Sequence, residues 1–361
     1  MPCLPCRNSR RSGPLPGGRV TGATGDIALR VLIFHYHSSR VGPVTLRRPT
    51  TLLITTLLTG LLATASAAPI TLRHAAGTTT LPAPATRVVA LGPHALDLLL
   101  SLGIQPVGYG EAAQLNLRQY GSPIRQIRYL GSRVTGAPTY VGDRFKPNLE
   151  VLASLRPDLI VGEHFAQDTY PALNAIAPTL LFHGTHSGDW QKTLPVLAHA
   201  VNRPERAAQV IRQRAAATDR ARQTLPAWLR GRRALIVWNA GGATRDLYTV
   251  LGPTDWTGGY FQNLGLTLDL PGRQDPSLGE GYLKLSSEGL SATRADAIFV
   301  IASGKNTAAQ ARRDWQANPF AQRLPASRAG HVYFLDIHLF GRLRGPIAED
   351  LMTRELTRTL R

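Results

Sequence analysis

At 361 residues the chain is long enough for two domains with separate cores. Its formal charge of +18 invites a nucleic-acid partner, but only four of the 41 basic residues are lysine and the arginines are scattered rather than striped. That pattern argues for an Arg-rich composition, with no nucleic acid expected. The two cysteines, Cys3 and Cys6, both precede the first apolar run, which excludes disulfides, thiolate metal sites and cysteine nucleophiles from everything after it.

Residues 44–67 read as a signal peptide. Arg47 and Arg48 give the charged start, "LLITTLLTGLLATA" the apolar stretch, and Ala65-Ser66-Ala67 a small-residue cleavage site before Ala68. The stretch is too short and too rich in Thr for a good membrane span. The expectation is export with cleavage near Ala67/Ala68 and, with no later Cys, no lipid anchor. Residues 1–43 are Pro, Gly and Arg without a structural period, and are read as a mis-assigned or disordered leader with the true start at Val41 or Val44. Removing leader and signal leaves 33 basic and 22 acidic residues.

From Arg87 strand-like and helix-like runs alternate. "RVVALG", "PVGYG", "DLIVG" and "TLLFHG" are strands, with "HALDLLLSLG", "PNLEVLASL" and "YPALNAIA" as helices between them. This alternation predicts a parallel sheet flanked by helices over residues 68–202. A helix over 203–226 follows: Pro204 suits a first turn, Pro226 ends it, and the interior is Ala, Arg and Gln. Such a rod is about 30 Å long. A second α/β series over 227–361 runs through "RALIVWN", "DLYTVLG", "GGYFQNLG", "SEGLSAT", "DAIFVIA", "HVYFLD" and "IAEDLMTRELTRTL".

The two halves repeat a motif. Lys146, Glu150, Leu152, Arg156, Asp158 and Ile160 recur as Lys284, Glu288, Leu290, Arg294, Asp296 and Ile298 at a constant offset of 138 residues. Asn148 is the expected cap of the first helix and Ser286 or Ser287 of the second, with each glutamate in a first turn. One such glutamate is explained by the helix dipole, worth about 0.3–1 kcal/mol. Two at equivalent places suggest a matched pair of negative contacts.

In combination, "VGDRFKPNLEVLASLRPDLIVG", the long helix, "KLSSEGLSATRADAIFVI" and "WQANPFAQRLPASRAGHVYFLD" resemble the periplasmic substrate-binding proteins for iron-siderophores and cobalamin. The resemblance implies two Rossmann-like α/β lobes bridged by one long helix, a ligand cleft between them, and a monomer that serves an ABC permease with its ATPase. It makes Glu150 and Glu288 the permease-docking charges, and Arg144, shortly before "PNLE" as in the hydroxamate and ferric-citrate branch, a contact for an Fe(III)-siderophore chelate. No cofactor is implied.

Further ligand contacts are expected at the C-terminal ends of strands: Phe165, Trp238, Trp256, Tyr282 and Phe340 as walls, Arg245 and Arg342 as positive charge. For each aromatic, core packing competes equally. His183 and His186 of "HGTH", with His338, are the weak candidates for direct metal binding. Haem or cobalamin is the alternative ligand. An enzyme is disfavoured because the chain has no G-x-S-x-G elbow, P-loop or G-x-G-x-x-G after a strand.

Overall fold

The computed structural model describes residues 68–112 and 122–360. The expected leader and signal peptide lie outside them. Among the described residues no helix is long and apolar enough to cross a membrane.

A hairpin comes first: β1 (Ile70–His74) pairs antiparallel with β2 (Gly77–Leu81). The amide of Ala75 in its turn donates to Leu181 O at 2.7 Å and ties the hairpin to the first lobe. That lobe contains β3 (Val88–Leu91), α1 (Pro93–Ser101), β4 (Gly108–Glu111), α2 (Pro123–Gln126), β5 (Thr139–Asp143), α3 (Leu149–Ser154), β6 (Leu159–Glu163), α4 (Tyr170–Ile176), β7 (Thr179–Phe182) and α5 (Asp189–Ala200). Its sheet runs β5-β4-β3-β6-β7, parallel throughout. All residues of β3, β6 and β7 are buried, as a sheet covered on both faces requires. The chain moves outward from β3 to β5, then returns to β6 on the other side of β3. The C-terminal ends of β3 and β6 therefore flank a topological switch point, where ligands of open α/β sheets bind.

In chain order α6 (Pro204–Thr224) follows, 21 residues with Pro204 in its first turn, packed on α5. The second lobe holds β8 (Arg233–Asn239), β9 (Leu247–Leu251), α7 (Trp256–Asn263), β10 (Thr267–Leu268), β11 (Arg273–Gln274), β12 (Tyr282–Ser286), β13 (Ala297–Ala302), α8 (Ala308–Ala317), α9 (Pro319–Gln322), α10 (Pro325–Arg328), β14 (Val332–Asp336) and α11 (Pro346–Thr359). Here the sheet is mixed. β8, β13 and β14 are parallel, but β9 runs antiparallel to β8, β12 to β9 and β11 to β12. The expectation of α/β layers holds, with an antiparallel flank that short strands and glycine turns produce: Gly252 N donates to Gly281 O at 2.8 Å where β9 and β12 meet.

The 138-residue repeat has a structural cause. Asp158 precedes β6 and accepts from Arg87 N at 2.7 Å at the entry to β3, while Asp296 precedes β13 and accepts from Arg233 N at 3.0 Å at the entry to β8. Each aspartate fixes the register of two central parallel strands. Leu152 and Leu290 are both fully buried. The helices between differ: Asn148 caps α3 by accepting from Val151 N at 3.1 Å, whereas Glu288–Ala292 winds only as a 3₁₀ turn. Gly289, a poor helix former, sits inside that turn, and its amide donates to Ser286 Oγ at 3.2 Å.

The two lobes share one apolar core, running from Leu96 and Leu98 of α1 through Leu194 and Val210 to Phe261, Met352 and Leu356. α11 belongs to the second lobe in sequence but docks on the first. Asp97 of α1 accepts from Ile347 N at 2.9 Å and Ala348 N at 2.8 Å, so a carboxylate from one lobe caps a helix of the other. Gly345 is required there, because a Cβ would overlap the Asp97 carboxyl. Burial pushes Asp97 up to about 7 against the pull of those two amides. Trp190 of α5 donates to Glu349 of α11 at 2.8 Å, and burial raises that carboxyl to about 7 as well. The lobes are braced at several points, not only through α6.

Candidate functional site

A cleft of about 670 Å³ opens between the lobes. The first lobe supplies Arg128, Arg144 and Phe145. The second supplies the loop after β13 (Ala302, Gly304, Lys305, Asn306, Thr307, Ala308) and the segment after β14 (Asp336, Ile337, His338, Arg342). These segments follow strand ends, because the βα connections of a parallel sheet emerge there.

Each cleft arginine is held by a carboxylate. Arg144 Nη1 donates to Glu163 Oε2 at 2.7 Å, Arg342 Nη2 lies 3.4 Å from Glu111 Oε1, and Arg128 Nη2 lies 2.5 Å from Asp336 Oδ2. Glu111 and Glu163 are the last residues of β4 and β6, so the sheet itself sets them beside the cleft arginines they hold. Glu163 also receives Arg344 from the second lobe. Arg344 adopts the left-handed region at φ 59°, a conformation costing about 1 kcal/mol or more for a residue with a Cβ. The interaction with Glu163 offsets it. Burial alone would raise the Glu163 carboxyl, but Arg344 and Arg144 outweigh it and hold the group below its ordinary value.

The Arg144 side chain is 11% exposed and its carbon Cζ stands 4.4 Å from the Phe145 ring centroid. Its Nε is buried without a hydrogen-bond partner. Gly92, at the end of β3, allows this placement: a Cβ there would come within 3.1 Å of Arg144 Cδ. Burial lowers the Arg342 guanidinium below its ordinary value while Glu111 opposes the shift. His338 is driven down to about 4, by burial first and then by Arg342 and Arg128 against Asp336, so it is neutral at neutral pH.

The structure brings Arg144, Arg342 and His338 together at the cleft. Phe165, 45% exposed, meets Phe145 edge-on at 5.7 Å and so stands at its rim. The structure does not bring the other expected contacts to this cleft. Phe340 and Trp256 are buried in the core, Phe340 stacked 6.3 Å from Phe261 and Trp256 at the start of α7. Trp238 and Tyr282 pair with each other at 5.3 Å, and Tyr282 donates to buried Asp255 at 2.9 Å; neither lines the cleft. Arg245 borders a separate hollow of about 370 Å³ with Glu288 and lies 3.6 Å from Asp246. These placements share a reason: proximity to a strand end in sequence does not say which side of the sheet a side chain takes.

Of the histidines, His183 packs on His164 with ring centroids 4.7 Å apart and tilted by 39°, and His186 lies 3.6 Å from Asp189. Among the described residues no three His, Cys, Asp or Glu side chains converge as a metal site. Glu150 and Glu288 are both exposed. The residues that sequence reading missed are Arg128, Phe145, Lys305, Asn306, Asp336 and the arginine-holding carboxylates Glu111 and Glu163. A signal existed for the last two, each an acid closing an apolar strand ("GYGE", "LIVGE"), and for "SGKNT", a loop after the buried strand "AIFVIA".

Comparison with known proteins agrees with this architecture. The "Probable siderophore-binding lipoprotein YfiY" of Bacillus subtilis is 38% identical over 143 residues, 39% of this chain and 41% of that protein. The "Fe(3+)-citrate-binding protein YfmC" of the same organism is 27% identical over 284 residues, 78% of this chain and 82% of that one. In structure, Staphylococcus aureus SirA complexed with staphyloferrin B superposes with a TM-score of 0.62 at 22% identity, covering 81% of this chain and 98% of SirA, a likeness of fold. The family profile described as "Periplasmic binding protein" matches residues 88–338. Two lobes joined over a cleft at their strand ends, and a profile match across most of both, place this chain in the periplasmic binding protein family.

Proposed function

We propose that this protein is an extracytoplasmic solute-binding protein that captures an Fe(III)-siderophore chelate in the cleft and delivers it to an ABC permease, whose ATPase drives iron uptake. The observation that carries this reading is the cleft itself: arginines from both lobes, Arg144 and Arg342, converge on one basin and are oriented by buried carboxylates. Guanidinium groups pair with carboxylate or hydroxamate oxygens in two contacts, and a chelate presents such oxygens around its metal. The match over 82% of a relative named for ferric citrate supports the same cargo.

Phe145 and Phe165 give the ligand an apolar side wall. Glu150 and Glu288 are the docking charges, one on each lobe, fixing orientation and encounter rate on the permease more than affinity. The protein acts as a monomer, and binding leaves its cargo chemically unchanged. It is exported by cleavage near Ala67/Ala68. YfiY is named a lipoprotein, whereas this chain has no cysteine after residue 6 to carry an anchor.

Titration of intrinsic tryptophan fluorescence with ferric citrate, ferric hydroxamates, ferric catecholates, haem and cobalamin tests this reading. Saturable quenching by a ferric chelate, with the chelate recovered intact, is expected. Binding of haem with an intense Soret band, and of no ferric chelate, would refute it.

A further inference from the structure

Resting on the reading of the cleft as a ferric-chelate site, we infer that Lys305 makes it selective for anionic ferric chelates, whose free carboxylates leave net negative charge, over trihydroxamate chelates that carry none. The charge pattern of the basin carries the inference. Arg128, Arg144 and Arg342 each face a carboxylate within 3.4 Å or less, so their positive charge is largely answered by the protein. Lys305 lines the same basin, is exposed, and has no carboxylate partner among the described residues. Glu111, Glu163 and Asp336, the acids that face the basin's arginines, are already engaged by them.

The loop that carries Lys305 has a fixed base. Asn306 Nδ2 donates to Asn239 O at 3.2 Å and Asn239 Oδ1 at 3.1 Å, and Ser303 N donates to Asn239 O at 2.9 Å. Gly241 leaves room for this, since a Cβ there would stand 2.7 Å from the Asn306 side chain. Gly304 takes φ +59°, turning the chain so that residues 304–308 all face the basin. β8 and β13 end beside this loop, the counterpart in the second lobe of the β3/β6 switch point behind Arg144. The two lobes thus oppose an arginine whose charge is shared with a buried glutamate and a lysine whose charge is not.

An ammonium on a flexible four-carbon stem accommodates variable anionic oxygens as a point charge. A chelate with net negative charge gains a charge-assisted contact from it. One without such charge gains nothing there.

Dissociation constants for ferric dicitrate and for a ferric trihydroxamate of no net negative charge, at low and high salt, test this with wild type, Lys305→Gln and Lys305→Arg. Wild type is expected to prefer ferric dicitrate. Lys305→Gln should weaken that affinity by about tenfold and flatten its salt dependence, Lys305→Arg should retain most of it, and trihydroxamate binding should stay unchanged in both. Ferric dicitrate affinity unchanged in Lys305→Gln would overturn the role of Lys305 while leaving the cleft reading intact. So would a wild-type preference for the trihydroxamate. Binding of neither chelate would overturn the cleft reading, and this inference with it.

Discussion

Glu163→Gln is expected to destabilise the protein by about 3–5 kcal/mol, the cost of breaking a buried ion pair by removing one partner. The glutamate side chain is 2% exposed and receives two guanidinium groups, Arg144 from its own lobe and Arg344 from the other. Glutamine keeps the shape but loses the charge and turns an amide N–H toward one of two donors. Arg344, whose side chain is 6% exposed, is then buried with its charge unanswered. For a protein of this size the loss corresponds to a fall in Tm on the order of 10 °C. The effect depends on pH in a fixed direction. Because the folded state holds the Glu163 carboxyl below its ordinary value of 4.5, its stabilisation is fully present above that value and is lost as pH falls through the folded-state value. The gap between wild type and variant should therefore be constant from pH 6 to 8 and narrow under acid. Thermal melts followed by circular dichroism across that range read it; equal Tm values at neutral pH would show that the lobes are held together without this carboxylate.

Reversing both docking charges, Glu150→Arg together with Glu288→Arg, should abolish uptake of the chelate while leaving its affinity nearly intact. Both side chains are exposed and neither lines the cleft, so the binding basin has no stake in their charge and the fold only the small first-turn helix-dipole contribution. Each is near an exposed leucine: Leu149, 40% exposed, precedes Glu150, and Leu247, 41% exposed, pairs with Ser286 two residues before Glu288. On the permease, two acids replaced by two bases turn two attractions into two repulsions, and like charges brought together at an interface cost several kcal/mol. Uptake of radioactive iron by cells carrying the variant, beside the Kd of the purified protein, separates docking from capture. Normal uptake by the double variant would remove Glu150 and Glu288 from the docking role.

Much of the fold was legible because the sequence signals it locally. "DLIVG" and "DAIFVI" are continuous apolar runs of strand length, each preceded by an aspartate that the structure uses to fix the adjacent strand. The 21-residue helix is marked by Pro204 and by its helix-forming interior. The antiparallel flank of the second sheet was not legible, since alternation of strands and helices does not state strand direction. The site was legible only in part. Arg144 stood out through the resemblance of "VGDRFKPNLE" to the hydroxamate and ferric-citrate branch, but Lys305, Asp336 and Glu163 become neighbours of the cleft only through long-range strand order. Aromatic side chains misled for a complementary reason: Phe340 and Trp256 follow strand ends yet face the shared core, where burying a large ring is worth more than exposing it in a polar basin. Arg245 lies away from the cleft, beside Asp246 at a separate hollow that Glu288 also borders, and surface arginines are common in this chain.

The central claim is that the basin between Arg144, Lys305 and Arg342 holds the iron of a chelate whose oxygen ligands, not protein side chains, surround the metal. Crystals of the protein grown with ferric dicitrate, measured on both sides of the iron absorption edge, locate that metal directly. The account predicts one anomalous peak inside this basin, with chelate oxygens toward Arg144 and Lys305. A peak on His183 or His186, or iron bound directly by the protein elsewhere, would contradict it.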